Sequence, residues 1–273
     1  MTLSNQARGA RYRQHSLELL GRLGYGSARQ IARGVWGELT PSTRKMASRL
    51  LGRLRNERLV VSKRDGDSVN GEQLYALTKA GVAKLTYPLP MRRGHARDWL
   101  RHAHAHRTVA NSVFVAGNPV VSSVDDNFGM TELEIRSCDL SVEETRFEYE
   151  VDGRRQVKIP DVIFDHPCRI WVEVENAWRS SKDLTKLVQF LRALFWRGPE
   201  RFDEVWLVVT TTGAKSIGQR LRKALSHDDP LDGWPRQVKE LDARLRESYV
   251  KLWVLDAETL TLRPEPLSYR AQG

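Results

Sequence analysis

Cysteine is almost missing from this chain: its 273 residues include two, Cys138 and Cys168. One chain can therefore build neither a disulfide framework nor a cysteine zinc site. No apolar run approaches the ~20 residues that a membrane helix needs, so no membrane partner is expected. Met1 to Arg8 lacks the charged-then-apolar order of a secretory signal, and cytoplasmic residence is the expectation. A phosphate loop ending in Gly-Lys-Ser/Thr, a dinucleotide fingerprint and a Gly-x-Ser-x-Gly elbow are all lacking, which argues against ATP-driven chemistry. Asp125-Asp126-Asn127-Phe128-Gly129 lacks the ligand order and terminal glutamate of an EF-hand, and reads as a turn.

What the chain does have is a lopsided charge. With 40% hydrophobic and 29% charged residues and eight Trp, it is a globular sequence long enough for two domains. The net charge of +10 belongs to the first part: residues 1–110 hold 21 Lys and Arg against 7 Asp and Glu, and the rest 23 against 27. A segment of +14 suits a polyanion, because neutralised phosphates release condensed counterions. No helix sets a lysine-rich face opposite a broad apolar one, so nucleic acid is favoured over a membrane surface.

Leu17, Leu19, Leu20 and Leu23 recur at helical spacing, and Gly24-Tyr25-Gly26 ends that helix. Ser27 caps a second, short helix that breaks around Gly34 to Gly37. Thr40-Pro41-Ser42-Thr43 starts a third, with a hydroxyl N-cap and proline at the first helical position. Met46, Leu50, Leu51 and Leu54 are its expected buried stripe, with Arg44, Lys45, Ser48, Arg49, Arg53 and Arg55 elsewhere. Leu59-Val60-Val61 and Gln73-Leu74-Tyr75-Ala76-Leu77 flank a polar tip carrying Lys63 and Arg64, as in a β-hairpin, and a helix follows from Thr78.

Three helices, a hairpin and a helix resemble a winged helix-turn-helix domain over about residues 12–86. The resemblance implies a third helix in the major groove and a wing on the backbone. Ser42, Thr43, Lys45 and Arg49 are then base-reading candidates, with Arg53, Lys63 and Arg64 as phosphate contacts and Arg44 a further DNA-binding candidate. A solvated helix face, or a winged helix used for protein contact, is the alternative.

Prolines at 88 and 90 and Gly94 mark residues 88–94 as the linker between a domain at 1–87 and another at 95–273. In the second, a helix is expected over His95 to Ala116, then strands near Glu132 to Arg136, Lys158 to Phe164 and Arg169 to Glu175. A helix follows from Lys182 to Trp196, then a strand over Glu204 to Thr210, a helix over Lys215 to Ser226 and a strand over Lys251 to Leu255. Apolar residues bracket single carboxylates at Asp161, Asp165, Glu173 and Glu175. Strand alternation places Trp171, Glu173 and Glu175 on one face. A carboxylate in an apolar strand needs a partner, which is either a metal ion or a basic side chain.

That element order, with Pro160-Asp161 and the glutamates at 173 and 175, resembles the PD-(D/E)xK nucleases, an α/β restriction-endonuclease-like fold with a central mixed sheet. The resemblance implies Mg²⁺ or Mn²⁺ on Asp161 and Glu173, with Glu134, or Glu132, as a third carboxylate. The family's lysine position holds Glu175, so Lys182 or Lys186 would have to supply the ammonium. A carboxylate there attracts metal but cannot stabilise hydroxide as an ammonium does.

The pairing of the two domains is more loosely similar to plasmid replication-relaxation or mobilisation proteins. It implies a mobile-element protein that acts on double-stranded DNA, with a relaxase or replication protein, or a second copy in a homodimer, as partner. Two functions stay open: sequence-selective DNA binding with metal-dependent nicking or cleavage, and a non-enzymatic transcriptional regulator or relaxosome accessory protein with an inactive nuclease fold. His102, His104 and His106 lie in a helical pattern where only two share a face, a poor zinc site. Trp171, Trp178, Trp196 and Trp206 fall in or beside core elements and read as packing.

Overall fold

Local capping begins most of the first elements in the computed structural model, which describes residues 4–64, 71–86, 95–117, 129–137, 145–151, 153–165, 167–175, 180–197, 201–226 and 249–266. Ser4 accepts from the Ala7 N–H and starts α1 (Asn5–Leu23). Ser27 and Gln30 form a capping box at the head of α2 (Ala28–Trp36), which ends on Gly37 in the left-handed region. Thr40 caps α3 (Pro41–Asn56), with Pro41 inside the first turn. β1 (Gly26–Ser27) and β2 (Val60–Arg64) both pair antiparallel with β3 (Gln73–Leu77), giving the order β1-β3-β2. Thr78 then caps the short α4 (Lys79–Val82).

The chain is mixed α+β and divides into two compact units. One is Met1–Asp139 with Glu258–Thr261, the other Leu140–Ala257 with Leu262–Gly273. The expected linker at 88–94 lies outside the described residues, and the first unit runs well past it. The single helix expected over His95 to Ala116 is two, α5 (Arg97–Arg101) and α6 (Ala105–Gly117). Both pack in the first unit. Ala96 and Leu100 join Tyr25, Leu74 and Ala76 in one buried cluster. Asn111 Nδ2 donates to the carbonyls of Leu23 (3.2 Å) and Tyr25 (2.9 Å), satisfying the end of α1. Gln30 Nε2 donates to Thr108 O and Ser112 Oγ, both at 2.9 Å.

The strand expected at Glu132 to Arg136 is instead α7 (Glu132–Ser137), preceded by β4 (Gly129–Thr131). Thr131-x-x-Glu134 closes a capping box: Thr131 N–H donates to Glu134 Oε2 at 2.8 Å, and Glu134 N–H to Thr131 Oγ1 at 3.3 Å. That local pairing outweighs the alternation of the short apolar pattern.

In the second unit, β5 (Phe147–Val151) and β6 (Arg154–Lys158) form an antiparallel hairpin turning at Gly153, with φ of 71°. The strand expected from Lys158 to Phe164 is interrupted at Pro160, which has no N–H to give a ladder. β7 (Val162–Phe164) begins two residues later. It pairs antiparallel with β8 (Ile170–Glu175), which runs parallel to β9 (Glu204–Thr210), and β9 runs parallel to β10 (Val250–Asp256). β11 (Thr261–Glu265) flanks β10. All six β8 residues are buried, as expected of a central strand covered on both faces. Two helices complete the unit, α8 (Ser181–Arg197) and α9 (Thr211–Ser226). Trp171 is fully buried between Phe190 and Phe202, at 5.2 and 5.1 Å, and Trp206 stacks on Trp253 at 4.2 Å. Trp178, the Trp196 side chain, and the turn residues 125–128 lie outside the described residues.

Candidate functional site

The first candidate surface is the outward face of α3. Thr43, Ala47, Leu50, Leu51 and Leu54 make the buried stripe. Met46, expected in it, is 39% exposed, and Ala47, fully buried, takes the inward position. Ser42, Arg44, Lys45, Ser48, Arg49, Arg53 and Arg55 are exposed, and no acid lies between Pro41 and Asn56. Five cations thus share one helix face with nothing on that helix to neutralise them.

Thr43 does not belong to that face. It is 3% exposed, and its Oγ1 accepts from the Thr40 N–H at 2.9 Å while lying 3.1 Å from the Glu38 carbonyl to which it donates. The third residue of a capping box is drawn back toward the cap, away from any ligand.

The wing strands add cations beside α3. Lys63 and Arg64 are exposed at the end of β2. Ala28, Arg29, Arg44, Ser48, Arg64, Gln73 and Tyr75 line an open cleft of about 600 Å³ between α2, α3 and the hairpin. Glu72 also lines it and pairs with Arg29 at 3.5 Å. Arg29 is a cation that helix patterning did not single out. The signal was the Ser27 capping box, which fixes Arg29 in the first turn of α2.

Two further ion pairs in this unit are structural. Arg107 is forked onto Glu132, with Nε at 2.9 Å and Nη2 at 3.2 Å, and its guanidinium lies 3.8 Å from the centre of the Trp99 ring. Burial alone would raise the Glu132 carboxyl, but hydrogen bonds and charge from Arg107 and Arg136 outweigh it and hold it below the usual range. Glu134 is gripped by Arg22, whose Nε stands 2.7 Å from Oε1, while Oε2 closes the α7 cap. Both glutamates offered as a third metal ligand are thus committed to arginines. The three histidines are split between helices: His102 caps the end of α5, His104 Nδ1 accepts from the Arg107 N–H at 3.3 Å, and His106 lies in α6.

The second candidate is the acid cluster of the other unit. Asp161 follows Pro160 at the start of β7; its N–H donates to Val172 O at 3.0 Å, and its Oδ2 accepts from Val174 N–H at 2.8 Å. Glu173 and Glu175 are each 2% exposed on β8. Trp171 Nε1 donates to Glu173 Oε1 at 2.6 Å, as two residues on one strand face can. Lys158 Nζ donates to Glu173 Oε2 from the end of β6, and lies 5.1 Å from the centre of the Phe190 ring. The ammonium beside Glu173 is therefore Lys158; Lys182 and Lys186 are exposed on α8. Burial pushes the Glu173 carboxyl up to about 7, and the nearby charge of Asp161 adds to the rise, while Lys158 and the Trp171 hydrogen bond pull against it.

A divalent ion fits this arrangement poorly. Both Glu173 oxygens already accept hydrogen bonds, one of them from the Lys158 ammonium, and one Asp161 oxygen is tied to the β8 backbone. Among the described residues no group of three or more His, Cys, Asp or Glu is disposed to hold a metal. Comparison of the chain with protein-family models, with curated proteins and with solved structures found no match.

Proposed function

We propose that the protein binds double-stranded DNA selectively through its first unit, a winged helix-turn-helix, with α3 in the major groove and the β2–β3 hairpin along the backbone. The observation that carries this is the acid-free exposed face of α3, bearing Arg44, Lys45, Arg49, Arg53 and Arg55 on a helix capped and braced at Thr40 and Thr43. The element order and the β1-β3-β2 sheet accord with that domain type. Arginine and lysine at the helix centre suit base edges and phosphates, and Arg64 in the adjoining cleft suits a backbone phosphate.

The second unit, in this proposal, is a restriction-endonuclease-like fold that does not cut. Lys158 pairs with Glu173, and among the described residues no three acids or histidines are disposed to hold a metal. The protein then acts as a regulator or as an accessory protein of replication or DNA mobilisation on a mobile element. Supercoiled plasmid incubated with the protein and Mg²⁺ or Mn²⁺ should stay supercoiled. Nicking that disappears in Asp161→Ala and Glu173→Ala would establish the enzymatic alternative instead.

A further inference from the structure

A glycine in a helix interior is the poorest choice after proline, and a chain normally keeps one there because a side chain would collide with something. Gly34 in α2 shows the usual reason: a Cβ there would stand 2.5 Å from Leu19 Cδ2. Gly52 in α3 has no such reason, for a Cβ built on it meets nothing within 4 Å, as is also true of Gly9 in α1; what sets Gly52 apart is the cationic face around it. It is not needed for a turn either, since α3 continues to Asn56. Helical spacing puts Gly52 on the outward side, four residues after Ser48 and seven after Lys45, with Arg49, Arg53 and Arg55 around it; Gly52 itself is half-buried, and those five neighbours are exposed.

We infer that Gly52 is a point of close approach for duplex DNA, on which the helix backbone touches the groove wall where any Cβ would hold it away. The inference rests on the DNA-binding function proposed above. The charge around the glycine selects this occupant: five exposed cations and no acid on the helix match a phosphate-lined groove and repel a basic protein partner. The neighbouring arginines provide reach, while the glycine sets how deep the helix seats, and therefore whether Lys45 and Arg49 arrive at base edges.

The test compares Gly52→Ala and Gly52→Ser with Gly9→Ala, whose site in α1 is equally open. Each full-length variant is melted, and each is titrated into the duplex that the wild-type protein selects from random sequence. All three should melt at or above the wild-type temperature, Gly52→Ala by about 3 °C. Both Gly52 variants should bind the selected duplex roughly tenfold more weakly, and Gly9→Ala as tightly as wild type. Unchanged affinity in the Gly52 variants overturns the inference, as does a lowered melting temperature, which would give the glycine an intramolecular reason. Failure of the wild-type protein to bind any duplex would instead remove the DNA-binding function itself.

Discussion

Lys158 and Glu173, fifteen residues apart, meet as an ion pair in which the ammonium comes from the end of β6 and the carboxylate from the buried centre of β8. The glutamate is 2% exposed and also accepts from the Trp171 indole at 2.6 Å. Removing one member strands the other, which typically costs more than the intact pair contributes. Lys158→Met should therefore destabilise by about 3 kcal/mol near pH 8. Lys158→Met combined with Glu173→Gln should recover part of that loss. A double variant whose loss equals the sum of the Lys158→Met and Glu173→Gln losses would show that the pair is not coupled.

The same glutamate makes stability depend on pH. Its folded carboxyl stands at about 7, above the ordinary 4.5, so the folded state holds a proton that the unfolded chain has released. The contribution is full below the unfolded value and is lost as pH rises through about 7. Urea midpoints of the wild-type protein should thus fall between about pH 5 and 8, and Glu173→Gln should flatten the decline. An identical slope in both proteins would show that another group titrates.

Thr43 and Arg49 lie six residues apart on α3 and should respond in opposite ways. Thr43→Ala breaks a buried cap and should lower stability by about 1 kcal/mol. Arg49→Ala alters an exposed position and should change stability by less than ~0.5 kcal/mol, while weakening binding to the selected duplex by about 1–3 kcal/mol and relaxing sequence preference. Thermal melts and anisotropy titrations separate the two effects.

Arg107 anchors α6 to α7 through its forked bond to Glu132 and its place over Trp99. Lysine keeps the charge but neither the fork nor the planar stack. Arg107→Lys should cost about 2 kcal/mol through the lost second hydrogen bond and red-shift the tryptophan emission. A cost below ~1 kcal/mol would mark the pair as a solvated contact.

Elements governed by neighbouring residues were legible in the sequence. Thr40-Pro41 announces α3, the apolar run at Glu204–Thr210 announces β9, and α8 begins and ends within a residue of its expected span. Positions decided by tertiary context were not. Met46 and Ala47 exchange roles because the neighbours of α3 accept a small side chain at 47 and leave 46 to solvent. Residues 95–117 follow a proline-rich stretch yet pack in the first unit, since Asn111 and Leu100 find their partners on α1 and β3. The acids at 161 and 173 were visible as carboxylates in apolar strands, and a basic partner was one of the two expected solutions. Which lysine it was depended on how the β5–β6 hairpin delivers its last residue.

The DNA-binding face of α3 is tested most directly by the salt dependence of binding. Fluorescence anisotropy of a labelled duplex, titrated with full-length protein at several salt concentrations, reports the number of phosphates neutralised. The wild-type protein should give a slope of log K against log salt of about −4 or steeper. Replacing Arg44, Lys45, Arg49 and Arg53 together with alanine should make it shallower by several units and abolish sequence preference. Binding that keeps its slope and preference without those four side chains, or no binding at low salt, would contradict the assignment.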